Sequence, residues 1–209
     1  MSFQEMSLAK FGAVLASGTP TPGGGCASAL AAALAAGLVA MVARTTAENR
    51  KFADRAERMQ RIATEADRLR EECLGLVDED ARAFDRVMAA FRMPKETPDQ
   101  QAHRSTAIQQ AYQEAVEPPM KVSARSLKVL ELALEVAERG NPSAASDAGV
   151  GALLAATALD GGALNVGINL GSIEDVAFRT TQADKIKGTQ AQGHALREKA
   201  LQTVLGKLA

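Results

Sequence analysis

The 209-residue chain has no tryptophan, one tyrosine and six phenylalanines, so aromatics make up only 3% of a sequence that is 46% apolar. A core without large rings must close its gaps with Ala, Leu, Val and Met, and Ala-rich faces let helices approach closely. Strand formers are sparse and no stretch alternates with period two, which points away from sheets. An excess of one charge is also missing. With 24 basic and 25 acidic residues, the chain lacks the basic surplus of a dedicated nucleic-acid binder. Its two cysteines, Cys26 and Cys73, form neither a disulfide framework nor a zinc spacing. Its two histidines, His103 and His194, have no partners at ligand spacing and read as surface residues, so no metal site is expected. Met1 to Lys10 is mixed in character, which gives no sign of a signal peptide and makes a cytoplasmic location the expectation. Cys26 to Ala43 reaches the minimum length of a membrane span, yet it is mostly alanine with a glycine at Gly37. It reads as a buried helix, with no membrane partner.

What is present is a succession of helical patterns over one domain, 1–209. Phe3 to Ala16 is amphipathic and closes at Ser17-Gly18. Ala27 to Ala43 is apolar nearly all round, as a central helix is. Arg44 to Glu72 carries dense charge of both signs on an amphipathic helix whose outer face is solvated. Asp99 to Glu117 is a polar helix ended or kinked by Pro118-Pro119, and Met120 to Glu138 resumes the periodicity. Val150 to Ala158 and Ala163 to Leu170 are apolar, with a kink or break between them at Gly161-Gly162. Val176 to Leu208 is polar and amphipathic, with interruptions expected near Gly188 and Gly193. The fold class is all-α, a single-domain antiparallel bundle around an Ala-rich central helix.

Four pieces break this pattern. Gly18-Thr19-Pro20-Thr21-Pro22-Gly23-Gly24-Gly25 precedes the central helix. Such a loop either presents free N–H groups to an anion or carbonyl, or only lets two helices touch. No Lys-Ser/Thr follows the glycines, as a P-loop requires. Asp78-Glu79-Asp80-Ala81-Arg82-Ala83-Phe84-Asp85 places Asp78, Arg82 and Asp85 on one helix face, with Phe84, Val87, Met88 and Phe91 largely on the other. Its acids either sit at a helix N-terminus or supply a base. Gly140 to Gly149 is a second polar turn, in which Ser146 or Asp147 is the N-cap candidate. Asn165 and Asn169 share a face at i, i+4 and need partners if buried. Should these pieces meet, they form a polar pocket at one end of the bundle. Cys26, at a helix start where a thiol pKa would fall, lacks a neighbouring base.

Leu15 to Gly25, Asp78 to Asp85 with Met93-Pro94-Lys95, Gly140 to Gly149, and Ala163-Leu164-Asn165-Val166 together resemble, in order, the signature blocks of the cyclodeaminase and methenyltetrahydrofolate cyclohydrolase family. Cys26 departs from the small residue usual there, and the third block reads Pro142-Ser143-Ala144-Ala145, where a second Asn or similar polar residue is expected near position 143. The resemblance implies a homodimer acting on one-carbon derivatives of tetrahydrofolate without a metal or redox cofactor. One activity of the family hydrolyses 5,10-methenyltetrahydrofolate to the 10-formyl form. The other converts 5-formiminotetrahydrofolate to the methenyl form plus ammonia. No formiminotransferase domain accompanies these blocks, which favours the hydrolase.

Carried onto the matched positions, the resemblance makes Asp147 the first choice of general acid/base, with Asp78 and Asp85 as alternatives. Lys95 holds a folate carboxylate or acts as an acid. Thr21, Pro22, Gly23, Gly24 and Gly25 orient the substrate through backbone groups. Asn141, Asn165 and Asn169 hydrogen-bond the pterin or the attacking water, and Ser143 and Ser146 belong to the same binding set. The rival from another class is a non-catalytic helical interaction protein, in which the loop is a hinge and the acids cap helices.

Overall fold

A computed structural model describes residues 2–208; Met1 and Ala209, the ends of the expected domain, lie outside the described residues. It contains α1 (Leu8–Leu15), α2 (Gly24–Ala47), α3 (Ala56–Phe91), α4 (Pro98–Ala115), α5 (Glu117–Arg139), α6 (Ala145–Leu170) and α7 (Val176–Leu208), with no strand among the described residues. The all-α expectation holds, and several boundaries move for identifiable reasons. α1 is shorter than Phe3–Ala16 because Ser7 caps it, its hydroxyl accepting from the Lys10 N–H. Phe3 and Met6 instead lie in a turn that packs on Phe11. Gly18, just past α1, takes φ +82°, the left-handed conformation that glycine supplies at helix ends.

α2 starts at Gly24 rather than Ala27. The charged stretch that follows is not one helix from Arg44, because Asn49 accepts from the Lys51 N–H and opens a 3-10 turn over Arg50–Arg55. α3 then runs unbroken for 36 residues, past Gly75. A mid-helix glycine costs about 1 kcal/mol, less than the burial of Cys73, Leu76 and Val77 around it contributes. Asp78, Glu79 and Asp80 therefore lie inside a helix, and their reading as a helix N-terminus is overturned. Pro118 and Pro119 do break the chain, and both fall in the first turn of α5, where a missing N–H costs nothing.

α6 begins at Ala145, so Ser146 and Asp147 occupy its first turn and neither is the N-cap. Asn141 caps the preceding 3-10 turn by accepting from the Ser143 N–H. Gly161-Gly162 neither kinks nor breaks α6, and α7 is continuous through Gly188 and Gly193. Two of these glycines are packing positions. A Cβ on Gly162 would lie 2.8 Å from the Pro119 carbonyl oxygen, and one on Gly193 would overlap Leu159.

α2 and α6 pack antiparallel at the centre. Gly24 neighbours Asn165, Gly161 faces Ser28, and Gly151 lies against Ala35 and Leu38. α3 and α5 flank this pair, and α7 covers α5 and α6. Ala29, Ala32, Ala35 and Ala36 are fully buried on α2, and Ala148, Ala152, Ala155 and Ala158 on α6. Larger groups such as Met59, Leu69, Leu130 and Leu159 fill the space where α3, α5 and α6 diverge. Both α2 and the segment Pro142–Leu170 are long and apolar enough to cross a membrane, but 61% and 50% of their most apolar windows are buried inside the protein.

Replacing Gly162 with Ala is expected to destabilise the fold by about 1–3 kcal/mol, as overpacking against fixed backbone does. Gly188→Ala, in open space on α7, should instead gain about 0.5–1 kcal/mol from helix propensity. Urea unfolding of the two variants checks both signs.

Candidate functional site

The N-terminus of α2 has no side-chain cap: Gly23 is the N-cap residue and Gly24 and Gly25 occupy the first helical positions. Its orphan N–H groups are approached from the side by α3. A Cβ on Gly25 would overlap the Asp80 carboxylate, so the glycine is what allows that carboxylate to reach the helix end. Cys26, fully buried, donates its thiol proton to Asp80 Oδ2 at 3.4 Å, and its backbone N–H acts on the same carboxylate. Thr21, joined to Pro22 by a cis peptide bond, lies beside this junction.

This junction forms one wall of a cavity of about 340 Å3, within the range of small-molecule sites. Pro20, Thr21 and Gly23 to Gly25 line one side, and Phe84, Val87, Met88 and Phe91 of α3 another. Tyr112 of α4 closes the back, its ring edge-on to Phe91 at 6.1 Å between centroids. Asn165 and Asn169 of α6 share the cavity, as their spacing predicts. Asn165 donates to the Gly161 carbonyl and Asn169 to the Ala115 carbonyl, each at 2.8 Å. Both amide nitrogens are thus committed to backbone, and the carbonyl oxygens have no protein partner among the described residues.

Asp80 is the single carboxylate lining the cavity among the described residues, and no Lys, Arg or His lines it. Burial pushes its carboxyl above the usual carboxylate range, opposed by the hydrogen bonds from Cys26. The Cys26 thiol moves the same way, up to about 12, through burial and then the adjacent Asp80 charge. The lowering expected of a thiol at a helix start does not occur, so Cys26 stays protonated as a donor. An isolated acid in an apolar, partly enclosed cavity, its proton affinity raised by burial, is equipped to exchange protons and to stabilise a cation.

The sequence-derived candidates divide by position. Thr21, Gly23, Gly24, Gly25, Asn165 and Asn169 line the cavity, while Pro22 is buried behind it. Asp78 lies on the adjacent face of α3 and commits both oxygens to the N-terminal segment, accepting from the Phe3 N–H at 2.6 Å and the Ser2 hydroxyl at 2.7 Å. Asp85 is exposed beside it and shares a shallow depression with Arg82. Lys95 is exposed in the α3–α4 loop, outside the cavity lining. Asn141, Ser143, Ser146 and Asp147 do not join the cavity within one chain. The Asn141 N–H bonds to Thr46 Oγ1 at the far end of α2, about 33 Å from Gly24 at 1.5 Å per residue. The two polar loops do not meet, because α2 and α6 are antiparallel and each loop precedes one of them.

Asp80, Tyr112 and Ser172 are the polar lining residues that sequence reasoning missed. Asp80 had a signal: Phe84, Val87 and Phe91 follow it at i+4, i+7 and i+11, so it belongs to their face and not to that of Asp78 and Asp85. Tyr112 and Ser172 reach the cavity through tertiary packing alone.

Comparison with known proteins gives the family of the chain. Residues 7–188 match the family model described as formiminotransferase-cyclodeaminase. The chain is 37% identical over 194 residues to the methenyltetrahydrofolate cyclohydrolase of Methylorubrum extorquens, covering 93% of each chain. It is 32% identical to the formimidoyltransferase-cyclodeaminase of Rattus norvegicus, but spans only 34% of that longer protein. The crystal structure of formiminotetrahydrofolate cyclodeaminase from Thermotoga maritima superposes with a TM-score of 0.88 at 28% identity, over 99% of both chains.

A carboxyl whose pKa is raised by folding contributes its full share of stability when protonated, and loses it as pH rises through the folded value. Asp80→Asn removes that charge and keeps an acceptor for Cys26. The variant should melt above the parent protein at pH 7, with the difference closing below the ordinary Asp value of about 3.9. Thermal melts at pH 7 and pH 3.5 read the effect. A lower Tm at pH 7 would make Asp80 a structural cap and nothing more.

Proposed function

As a member of the formiminotransferase-cyclodeaminase family, this chain is an enzyme, and we propose that it hydrolyses 5,10-methenyltetrahydrofolate to 10-formyltetrahydrofolate with Asp80 as the proton-transferring group. The observation that carries the reading is the isolated Asp80 carboxylate facing an apolar cavity, without a cation beside it. The substrate is a cation, with its charge shared across N5, the bridging carbon and N10. Asp80 is its counter-charge, and the aromatic wall of Phe84, Phe91 and Tyr112 suits a planar ligand. The free carbonyl oxygens of Asn165 and Asn169 suit the N–H donors of a pterin.

In the proposed reaction, water adds to the bridging carbon and Asp80 takes its proton, leaving a neutral carbinol. The carbon–N5 bond then breaks. Asp80 returns its proton to N5, the hydroxyl proton goes to solvent, and the carbon leaves as the N10 formyl group. One water is consumed and one proton released. The carbon keeps its oxidation level, so the scheme calls for no redox cofactor, and no step in it needs a metal. Lys95 is exposed on the loop after α3, outside the cavity, which favours its meeting a folate carboxylate over its acting as the acid. The reading extends to a cytoplasmic homodimer, in keeping with the large apolar surface left on α2 and α6.

The close superposition with the Thermotoga maritima cyclodeaminase supports a second reaction at the same site. There N10 of 5-formiminotetrahydrofolate attacks the formimino carbon, Asp80 carries the N10 proton to the amine, and ammonia departs. The near-ultraviolet absorbance of the methenyl compound separates the two. Its enzyme-dependent loss supports hydrolysis, while its appearance from the formimino compound with ammonia release supports deamination. Silence in both assays sinks the proposal.

Asp80→Asn should lower kcat/KM by at least about 100-fold, the usual contribution of a general acid/base. The acid limb of the parent's pH profile should lie above the ordinary carboxylate range, since burial raises the Asp80 pKa. Cys26→Ala should move that limb further up, because the thiol is the donor that holds the carboxylate charged. The other titratable group facing the cavity is Tyr112, and α6 presents only neutral amides. An unmoved limb would show that another group sets it.

A further inference from the structure

A second cavity, of about 410 Å3, lies between the N-terminal halves of α5 and α7 and shares no lining residue with the first. Its size also falls within the range of small-molecule sites. Both walls are stripes at helical spacing. Gln113, Glu117, Lys121 and Arg125 recur every four residues through the end of α4 and the start of α5. Phe178, Gln182, Lys185 and Thr189 follow at i, i+4, i+7 and i+11 on α7, so each set shares one face. Val116, Met120 and Phe178 make the groove apolar beneath these polar groups. They belong to the cluster that also holds Val166, Leu170 and Ile186, so the groove is backed by packed core.

The charges along the groove are unequally matched. Lys121 Nζ lies 2.7 Å from Glu79 and 3.0 Å from Glu117, and Arg125 pairs with Glu72 of α3. Lys185 has no hydrogen-bond or ion-pair partner for its side chain among the described residues. The residues three and four positions away from it are Thr181, Gln182, Gly188 and Thr189, so its own helix supplies no acid. Of the three cations lining the groove, Lys185 alone is uncompensated. The half-buried amides of Gln113 and Gln182 also have no side-chain partner among the described residues, and each carries N–H donors. The Thr189 hydroxyl is committed to the Lys185 carbonyl.

We infer that this groove binds an organic monoanion, a carboxylate on an apolar body, with the charge at Lys185 and the Gln113 and Gln182 amides and the body on Val116, Met120 and Phe178. An organic cation would meet three positive side chains, and a multiply charged anion would find one free positive charge. An exposed ion pair contributes little by itself, so a small inorganic anion gains too little here. A neutral apolar molecule would leave Lys185 and the two amides unanswered. Charge and apolar body are needed together, and the site stands independently of the folate reaction at Asp80.

The probe for the test is anilinonaphthalene sulfonate, an aromatic monoanion whose fluorescence rises in apolar surroundings. Titrated into the whole folded chain, it should saturate a site that octanoate empties and that octanol, of equal chain length and without charge, does not. Lys185→Glu, at an exposed position, should weaken this binding at least about tenfold, because a like charge then faces the anion. Ala124→Phe, at an exposed position of the lining, fills the groove without altering its charges and should weaken binding equally. Circular dichroism should show parental helix content in both variants. Absence of saturable binding would overturn the inference, as would displacement by octanol as readily as by octanoate. Binding unchanged in either variant would also overturn it: unchanged in Lys185→Glu, the anion is not held by that charge, and unchanged in Ala124→Phe, it is held outside the groove.

Discussion

Close approach of two helices without bulky side chains is the constraint on which the rest depends. α2 and α6 meet through Gly24, Ser28 and Ala35 on one side and Gly151, Gly161 and Asn165 on the other. Interiors pack to crystal-like density, so a contact built from methyls and hydrogens draws the two backbones together. That closeness puts the bare N-terminus of α2 within reach of Asn165 and leaves room for α3 to bring Asp80 to the same point. Larger side chains at these positions would widen the junction, and the cavity would lose its polar wall. The scarcity of aromatics and the abundance of alanine are thus one fact seen in composition and in packing.

Asp80 sits where two demands compete. The free N–H groups at the start of α2 favour a carboxylate, and Cys26 adds its thiol and backbone N–H. Burial opposes the charge, and on balance the carboxyl is pushed above its usual range. A purely structural cap is supplied by the residue at the helix end itself, as the neutral hydroxyls of Ser7 and Thr97 do for α1 and α4, with no charge to bury. A carboxylate supplied from another helix, facing a cavity, costs stability and retains proton affinity. That combination is the usual mark of a group kept for chemistry.

Helix periodicity made the helical class, the central role of α2 and the shared face of Asn165 and Asn169 legible from residues alone. Boundaries failed where local chemistry outweighed periodicity: at Asn49, whose side chain opens a 3-10 turn within a charged stretch, and at Gly161-Gly162, where glycines that read as a break are packing contacts. The carboxylate was missed although its spacing to Phe84 and Phe91 placed it correctly. Asp78 and Asp85 share the opposite face with Arg82, and the clustering of acids imitates a helix start although all three lie inside α3. An antiparallel bundle was legible as a class, but the relative direction of α2 and α6 was not. Nothing in the order of motifs says that two similar Gly/Asn loops precede antiparallel helices and so point to opposite ends.

The same antiparallel packing limits what the polar loop at the start of α6 can do within one chain. Its distance from the cavity is fixed by α2 and α6, which are packed against one another along their lengths, so no side-chain motion brings Asn141, Ser143 or Asp147 to Asp80. Among the described residues the titratable groups at the cavity wall are Asp80 and Tyr112 alone, and α6 reaches the cavity at its other end, through the amides of Asn165 and Asn169. The polarity of that wall therefore depends on the one place where α3, α6 and the start of α2 converge.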